Sequence, residues 1–206
     1  MNVLLDSLPS TVDISGKKYP INTDFRAGVK FELLMQNNEE NILKLLEPYF
    51  PDGIPEDALK TKEGIIATMK AIELFFCCGS LPEKKEKKEE KNIAYSFDVD
   101  GEAILSDFWH YYNIDLTNEG LHWWTFRALL YGLPDKSEFK QRIYYRTCNL
   151  KELSKGERKR IQKIRSVIEI KDRKTKSLTL EERNAGWLEY ISKRRKETSE
   201  GGVENG

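Results

Sequence analysis

A chain of 206 residues is long enough for one ordinary domain with a buried core, which excludes a large multidomain machine. Its 34 basic residues balance 34 acidic ones, yet charged residues form 33% of the chain, above the share of about a quarter usual in globular domains. The start MNVLLDSLPS lacks the basic leader and apolar stretch of a secretory signal, and no stretch is apolar enough to cross a membrane. We therefore expect a cytoplasmic protein without membrane contact.

Residues 1–80 predict a short β-hairpin followed by helices. Alternating apolar residues flank the turn at Ser15-Gly16-Lys17, which is typical of a hairpin. The alternating residues are Val12, Ile14, Tyr19 and Ile21. Apolar residues then recur at helical spacing, with Thr23 or Asp24 as the first cap. The predicted helical stripes are Phe25, Val29 and Leu33, then Ile42, Leu45, Leu46 and Tyr49, and finally Ile65, Met69, Ile72 and Phe76.

Residues 81–92 predict a linker. From Glu83 to Lys91 the sequence reads EKKEKKEEK and contains no apolar side chain to bury, so burial cannot offset the entropy of ordering it in a core. We interpret this segment as a solvated linker or a frayed helical extension. Its glutamates would repel the phosphates that its lysines attract, which argues against a nucleic-acid site.

Residues 93–170 predict an aromatic-rich helical part that ends in a basic helix. Asp98 or Asp100 is the expected cap of a helix with an apolar stripe at Ile104, Leu105, Phe108 and Tyr111. Between Gly120 and Leu133 the only formal charge is Arg127, so we expect this helix at the centre of the bundle or against a partner.

The end of the chain changes in charge. Residues 139–176 hold fourteen Lys or Arg against four Asp or Glu. Ser154 with Glu157, and Thr179 with Glu182, match the capping-box pattern, so we expect two amphipathic helices, the second within residues 171–206 ahead of a disordered tail. The predicted fold is mainly α, a helical bundle with a short N-terminal β-hairpin, forming one domain over residues 1–170.

The sequence gives little support for catalysis. Only His110 and His122 are available for the usual proton transfers, and neither lies in a metal-binding motif. Cys77, Cys78 and Cys148 lack the CxxC spacing of redox and zinc sites, and we interpret them as reduced thiols. Glycine-rich nucleotide loops and GxSxG are absent from the sequence. We predict no catalytic residue, no metal ligand, no cofactor and no enzymatic activity.

The remaining signals concern binding. Large rings crowd the segment from Phe108 to Tyr131, and they serve either core packing or an exposed interface. Basic residues alternate with isoleucines in the predicted last helix, where they would contact nucleic acid, an acidic partner or the acidic middle of another copy. The candidate partner-binding residues are Trp109, Tyr112, Trp123, Trp124, Arg127, Arg158, Arg160 and Lys163. A homo-oligomer is also possible on this pattern of charge.

Several segments together resemble the bacteriophage gene-product-fifteen family of phages and prophages of low-GC Gram-positive bacteria. These segments are INTDFRAGVKFELLMQ, IPEDALKTKEGIIATMKAIELFFCCG, FDVDGEAILSDFWHYYNIDLTNEGLHWWTFRALLYGLP and RIYYRTCNLKELSKGERKRIQKIR, together with the charged linker. The cap at Asp115-Leu116-Thr117 and the helix LHWWTFRALLYGL are the most specific of them. The resemblance covers residues 1 to 170, and the tail from Ser177 has no counterpart.

The resemblance implies a non-enzymatic protein encoded between the major tail protein and the tape-measure protein. That position is typical of tail assembly chaperones, which keep the apolar tape-measure protein soluble in the host bacterial cytoplasm and are absent from the finished virion. The expected partners are the tape-measure protein, the major tail protein, or both. A structural subunit of the tail or virion is the first alternative, and a nucleic-acid-binding protein acting through residues 139–176 is the second, although binding to nucleic acid is not expected.

Overall fold

The computed structural model describes residues 2–81 and 93–170. Eight α-helices follow one hairpin in this part of the chain. The hairpin consists of β1 (Thr11–Ile14) and β2 (Lys17–Pro20). The helices are α1 (Phe25–Gln36), α2 (Ile42–Leu46), α3 (Glu56–Leu59), α4 (Lys62–Phe76), α5 (Phe97–Tyr112), α6 (Trp123–Gly132), α7 (Glu138–Thr147) and α8 (Lys155–Ile168). The prediction of a mainly α fold with a short N-terminal hairpin is confirmed.

The described residues form two compact units. The first contains residues 2–23 and 30–81, and the second contains residues 24–29 and 93–170. The first turn of α1 thus belongs to the second unit and its remainder to the first. The prediction of one domain over residues 1–170 stays a prediction. The predicted linker of residues 81–92, except Leu81, and the predicted helix and tail in residues 171–206 lie outside the described residues.

The hairpin turn forms as predicted. Ser15 and Gly16 both have positive φ, 54° and 84°, as a two-residue type I′ turn requires. Val12 and Ile14 are buried, and Val12 pairs with Tyr19 across the two strands. Ile21, predicted in the second strand, lies just beyond β2, although its N–H still bonds the carbonyl of Ser10 at 3.1 Å.

The core of the first unit surrounds Tyr49. The rings of Phe31 and Phe75 lie 5.4 and 5.8 Å from the Tyr49 ring. The predicted stripe of Ile42, Leu45, Leu46 and Tyr49 is buried throughout. The stripe predicted for α4 is confirmed at Ile65, Met69 and Ile72, whereas the stripe predicted for α1 is wrong beyond Phe25. Phe31 is the core residue in the second half of α1, whereas Val29 and Leu33 are half-buried, and in α4 Phe75 is more deeply buried than Phe76.

One surface contact joins the hairpin to α3. The Asp57 carboxylate accepts hydrogen bonds from Lys17 Nζ at 2.8 Å and from Tyr19 Oη at 2.7 Å. These bonds, that from Lys17 above all, lower the pKa of Asp57 from 3.8 to about 2. The stability that they contribute is present above the unfolded pKa near 3.8 and is lost as the pH falls through about 2.

The Asp57 contact predicts a measurable titration. We expect the Asp57 carboxyl, followed by NMR, to titrate with a midpoint near 2 in the folded protein. Lys17→Met should raise that midpoint towards the ordinary value, because it removes the hydrogen bond from Lys17 that lowers the pKa most. Lys18→Met, which removes a neighbouring exposed lysine that does not bond Asp57, is the control and should leave the Asp57 midpoint unchanged. An Asp57 midpoint that Lys17→Met leaves unchanged would contradict this account.

The start of α5 differs from the prediction. Ser96 is its cap, and its hydroxyl accepts the N–H of Asp98 at 3.4 Å. Asp100, a predicted cap, is instead fully buried and forms two hydrogen bonds with the guanidinium of Arg146, at 2.7 and 2.9 Å. The sequence pattern missed this role because a buried carboxylate needs a cation that lies 46 residues further along the chain.

Arg146 connects several parts of the second unit. Besides Asp100, its guanidinium donates to the carbonyl oxygen of Ile168 at 2.8 Å and to that of Ala94 at 3.2 Å. Arg165 of α8 donates in return to the carbonyls of Tyr145 and Cys148, at 2.8 and 3.1 Å. The ends of α7 and α8 are thereby held together by arginines that satisfy carbonyl groups at helix ends. The predicted capping box of Ser154 and Glu157 at the start of α8 is confirmed.

Candidate partner-binding surface of the second unit

The aromatic residues of α6 are divided between core and surface. Phe126 lies at the centre of a stack, with the rings of Phe25, Phe108 and Trp123 at 4.7, 5.2 and 5.8 Å. Trp123 is 1% exposed and Trp124 is 9% exposed. Both tryptophans are therefore packing residues in the folded unit, the alternative that the sequence left open for the aromatic set.

The segment before α6 is fixed by the first turn of α1. Phe25 donates its N–H to the carbonyl of Leu121 at 2.8 Å, and Asp24 forms an isolated antiparallel bridge with His122. His122 caps α6, since its Nδ1 accepts the N–H of Trp124 at 3.1 Å. The structure thus assigns His122 a capping function, which accounts for a histidine in this apolar segment.

Tyr131 has an exposed ring, and Arg127 and Lys140 hold this residue in place. It is 52% exposed, and its hydroxyl accepts a hydrogen bond from Arg127 Nη2 at 2.9 Å. The Arg127 guanidinium lies 5.2 Å from the centroid of the Tyr131 ring and 5.7 Å from that of Trp123. Lys140 Nζ also donates to the Tyr131 carbonyl at 3.0 Å. An aromatic side chain held in this way loses little entropy when a partner covers it.

Trp109 and Tyr112 occupy the last turns of α5. Trp109 is 57% exposed, the largest aromatic surface among the described residues. Tyr112 is half-buried and donates its hydroxyl to the carbonyl of Leu129 at 2.8 Å, and burial raises the pKa of this phenol. Tyr112 therefore ties α5 to α6, while Trp109 presents its indole to solvent.

The basic residues of α8 fall into two groups. Arg158 donates to the carbonyls of Leu150 and Leu153, at 2.9 and 3.3 Å, and so fixes the loop before the helix. Arg160 and Lys163 are exposed, and neither forms an ion pair with any residue that the structure describes. Of the three predicted site residues on α8, Arg158 has a structural contact, and Arg160 and Lys163 face solvent.

The accessible residues coincide only in part with the predicted site. Trp109, Arg127, Arg160 and Lys163 are accessible, whereas Trp123 and Trp124 are not. Sequence reasoning missed Tyr131, whose signal was its position four residues after Arg127 on the same helix face. Among the residues described, no group of three or more His, Cys, Asp and Glu side chains is placed to hold a metal ion.

The described residues define a mainly helical protein that exposes the rings of Trp109 and Tyr131 and the cations of α8. Residues 4–170 match the family model described as Bacteriophage Gp15 protein. The chain therefore belongs to this family and is a bacteriophage protein. No curated protein and no solved structure matches the chain. Within the described residues, no helix is both long enough and apolar enough to span a membrane.

Proposed function

We propose that this chain is a tail assembly chaperone that binds the tape-measure protein in the host cytoplasm while the phage tail is built. The observation that carries the proposal is the exposure of Trp109 and Tyr131 on a bacteriophage protein of the Gp15 family. The tape-measure protein expected as partner is a long, apolar helical chain. The role that we propose for these exposed rings is binding, without catalysis.

The exposed rings are suited to binding an apolar helix reversibly. Trp, Tyr and Arg are enriched among the residues that dominate binding energy at protein interfaces. Large rings bury much apolar area while only two side-chain torsions become fixed. Arg127 beside Tyr131 adds a charged rim, which opposes irreversible association of two apolar surfaces. A chaperone needs this balance, because it must leave before the tail is complete.

The exposed rings provide a test. We expect Trp109→Ala combined with Tyr131→Ala to weaken binding of the tape-measure protein by about 2 kcal/mol or more, roughly thirtyfold in Kd. Folding should change by no more than about 1 kcal/mol, because exposed rings contribute little to the core. Pull-down of the co-expressed tape-measure protein measures the first effect, and thermal unfolding measures the second.

A matched control is available on α7. Tyr144 is 48% exposed, similar to Tyr131, and Tyr144→Ala should leave capture of the tape-measure protein unchanged. Equal loss in the control and the double variant would remove the specific role of Trp109 and Tyr131. Failure of the unaltered chain to capture the tape-measure protein would overturn the proposed function itself.

A further inference from the structure

One face of α8 carries four cations that form no ion pair with the residues described. Lys155, Lys159, Arg160 and Lys163 are exposed, and Val167 beyond them is 84% exposed. At 100° per residue all of them lie on the side of the helix opposite Ile161, the buried residue of α8. We call the set Lys155, Lys159, Arg160 and Lys163 the basic row.

The basic row differs from the other arginines of α7 and α8. Arg142 and Arg146 pair with carboxylates, and Arg158 and Arg165 donate to backbone carbonyls. In contrast, no acidic side chain in residues 2–81 or 93–170 lies within ion-pair distance of the row. Glu157 is the one acidic residue of α8, and its carboxylate accepts a hydrogen bond from the Ser154 hydroxyl at 2.6 Å.

The arrangement is unfavourable for the isolated helix. Lys155, Lys159 and Lys163 follow one another at a spacing of four residues, and like charges at this spacing repel. Lys155 lies in the first turn, where the helix dipole disfavours positive charge. A helix selected for stability alone would carry acids or neutral residues at these positions. A bound anionic partner would relieve both costs.

We infer that the basic row binds an acidic helical segment of a partner protein. Three lysines about 6 Å apart along the helix match carboxylates repeated every fourth residue on a second helix. Val167, four residues after Lys163, extends the same face with an apolar side chain that a polypeptide covers and a phosphate backbone does not. The formal charge of the whole chain is zero, so attraction to nucleic acid would come from this local charge alone.

This inference deepens the proposed function. It rests on that function only in identifying the protein that supplies the acidic segment. The binding chemistry is tested separately. The probes are a synthetic helical peptide with Glu at positions i, i+4 and i+8 and Leu at i+12, the same peptide with Gln for Glu, and a 20-base-pair DNA duplex. The amide signals of the full chain are followed by NMR during titration with each probe.

We expect the Glu peptide to shift signals of α8 in the region of the basic row, and the Gln peptide to bind about tenfold more weakly. The triple variant Lys155→Gln, Lys159→Gln, Lys163→Gln should weaken Glu-peptide binding by a similar factor while its Tm stays equal or rises. A triple substitution of Lys18, Lys30 and Lys70 to Gln in the first unit is the control and should bind as the unaltered chain does.

Two results would overturn the inference. One is the absence of α8 shifts at millimolar Glu peptide, and the other is tighter binding of the DNA duplex than of the peptide. Neither depends on capture of the tape-measure protein, so the inference and the proposed function fail separately. If the unaltered chain captures the tape-measure protein, the Gln variant should capture less of it.

Discussion

Replacing Arg146 by alanine is expected to destabilise the second unit by about 3 kcal/mol, because the buried Asp100 loses two charge-assisted hydrogen bonds and is left with Arg142 Nη1 at 3.2 Å. Arg146 is 3% exposed and Asp100 is 0% exposed, so water cannot take the place of the guanidinium. The carbonyls of Ile168 and Ala94 lose a donor at the same time. Urea unfolding measures the effect, and tryptophan fluorescence follows it, since Trp109, Trp123 and Trp124 all lie in this unit.

Arg160→Ala is the matched control for Arg146→Ala. It removes the same side chain from the exposed face of α8, and we expect a change within about 0.5 kcal/mol. Asp100→Asn combined with Arg146→Ala should cost less than the sum of the two single changes, because both disrupt one ion pair. Equal stability of Arg146→Ala and Arg160→Ala would contradict the central structural role of Arg146.

Gly28→Ala is expected to destabilise the second unit by about 1–3 kcal/mol, in spite of the higher helix propensity of alanine. A Cβ atom on Gly28 would lie 2.7 Å from Cζ3 of Trp123 and nearer still to Cε3 and Cδ2 of the same ring. Trp123 is enclosed by its stack on Phe126 and cannot move aside without disturbing the core. Thermal or urea unfolding measures the loss.

Two other helical glycines provide controls of opposite sign. A Cβ on Gly101 in α5 or on Gly156 in α8 would meet nothing within 4 Å. Gly101→Ala and Gly156→Ala should therefore raise stability by up to about 1 kcal/mol, the propensity gain alone. If Gly28→Ala raised stability to the same extent, the close approach of α1 to Trp123 would be disproved.

The local parts of the fold were predictable from the sequence. The Ser15-Gly16 turn, the capping box of Ser154 and Glu157, and the buried stripe from Ile42 to Tyr49 each depend on residues a few positions apart. The stripe of α1 was misplaced because Phe31, at its centre, packs on Tyr49 and Phe76, which lie far along the chain. The local spacing of apolar residues does not show such contacts between distant residues.

The candidate surface was predictable only in composition. The sequence shows that this part of the chain is rich in aromatic residues, among them Trp109, Trp123 and Trp124. Only the folded packing of α6 determines that Trp123 is buried and Trp109 is exposed. In the same way, Arg158 and Arg160 are two residues apart on one basic helix. Only the position of the loop at Leu150 and Leu153 determines that Arg158 donates to backbone carbonyls while Arg160 faces solvent.

The most direct measurement is affinity purification of this chain from induced cells during tail assembly, with mass spectrometry of the captured proteins and of the finished virions. The proposed function predicts that the tape-measure protein is captured and that this chain is absent from purified virions. Many copies of the chain in virions would indicate a structural tail subunit. That result, or capture that lacks the tape-measure protein, would contradict a tail assembly chaperone.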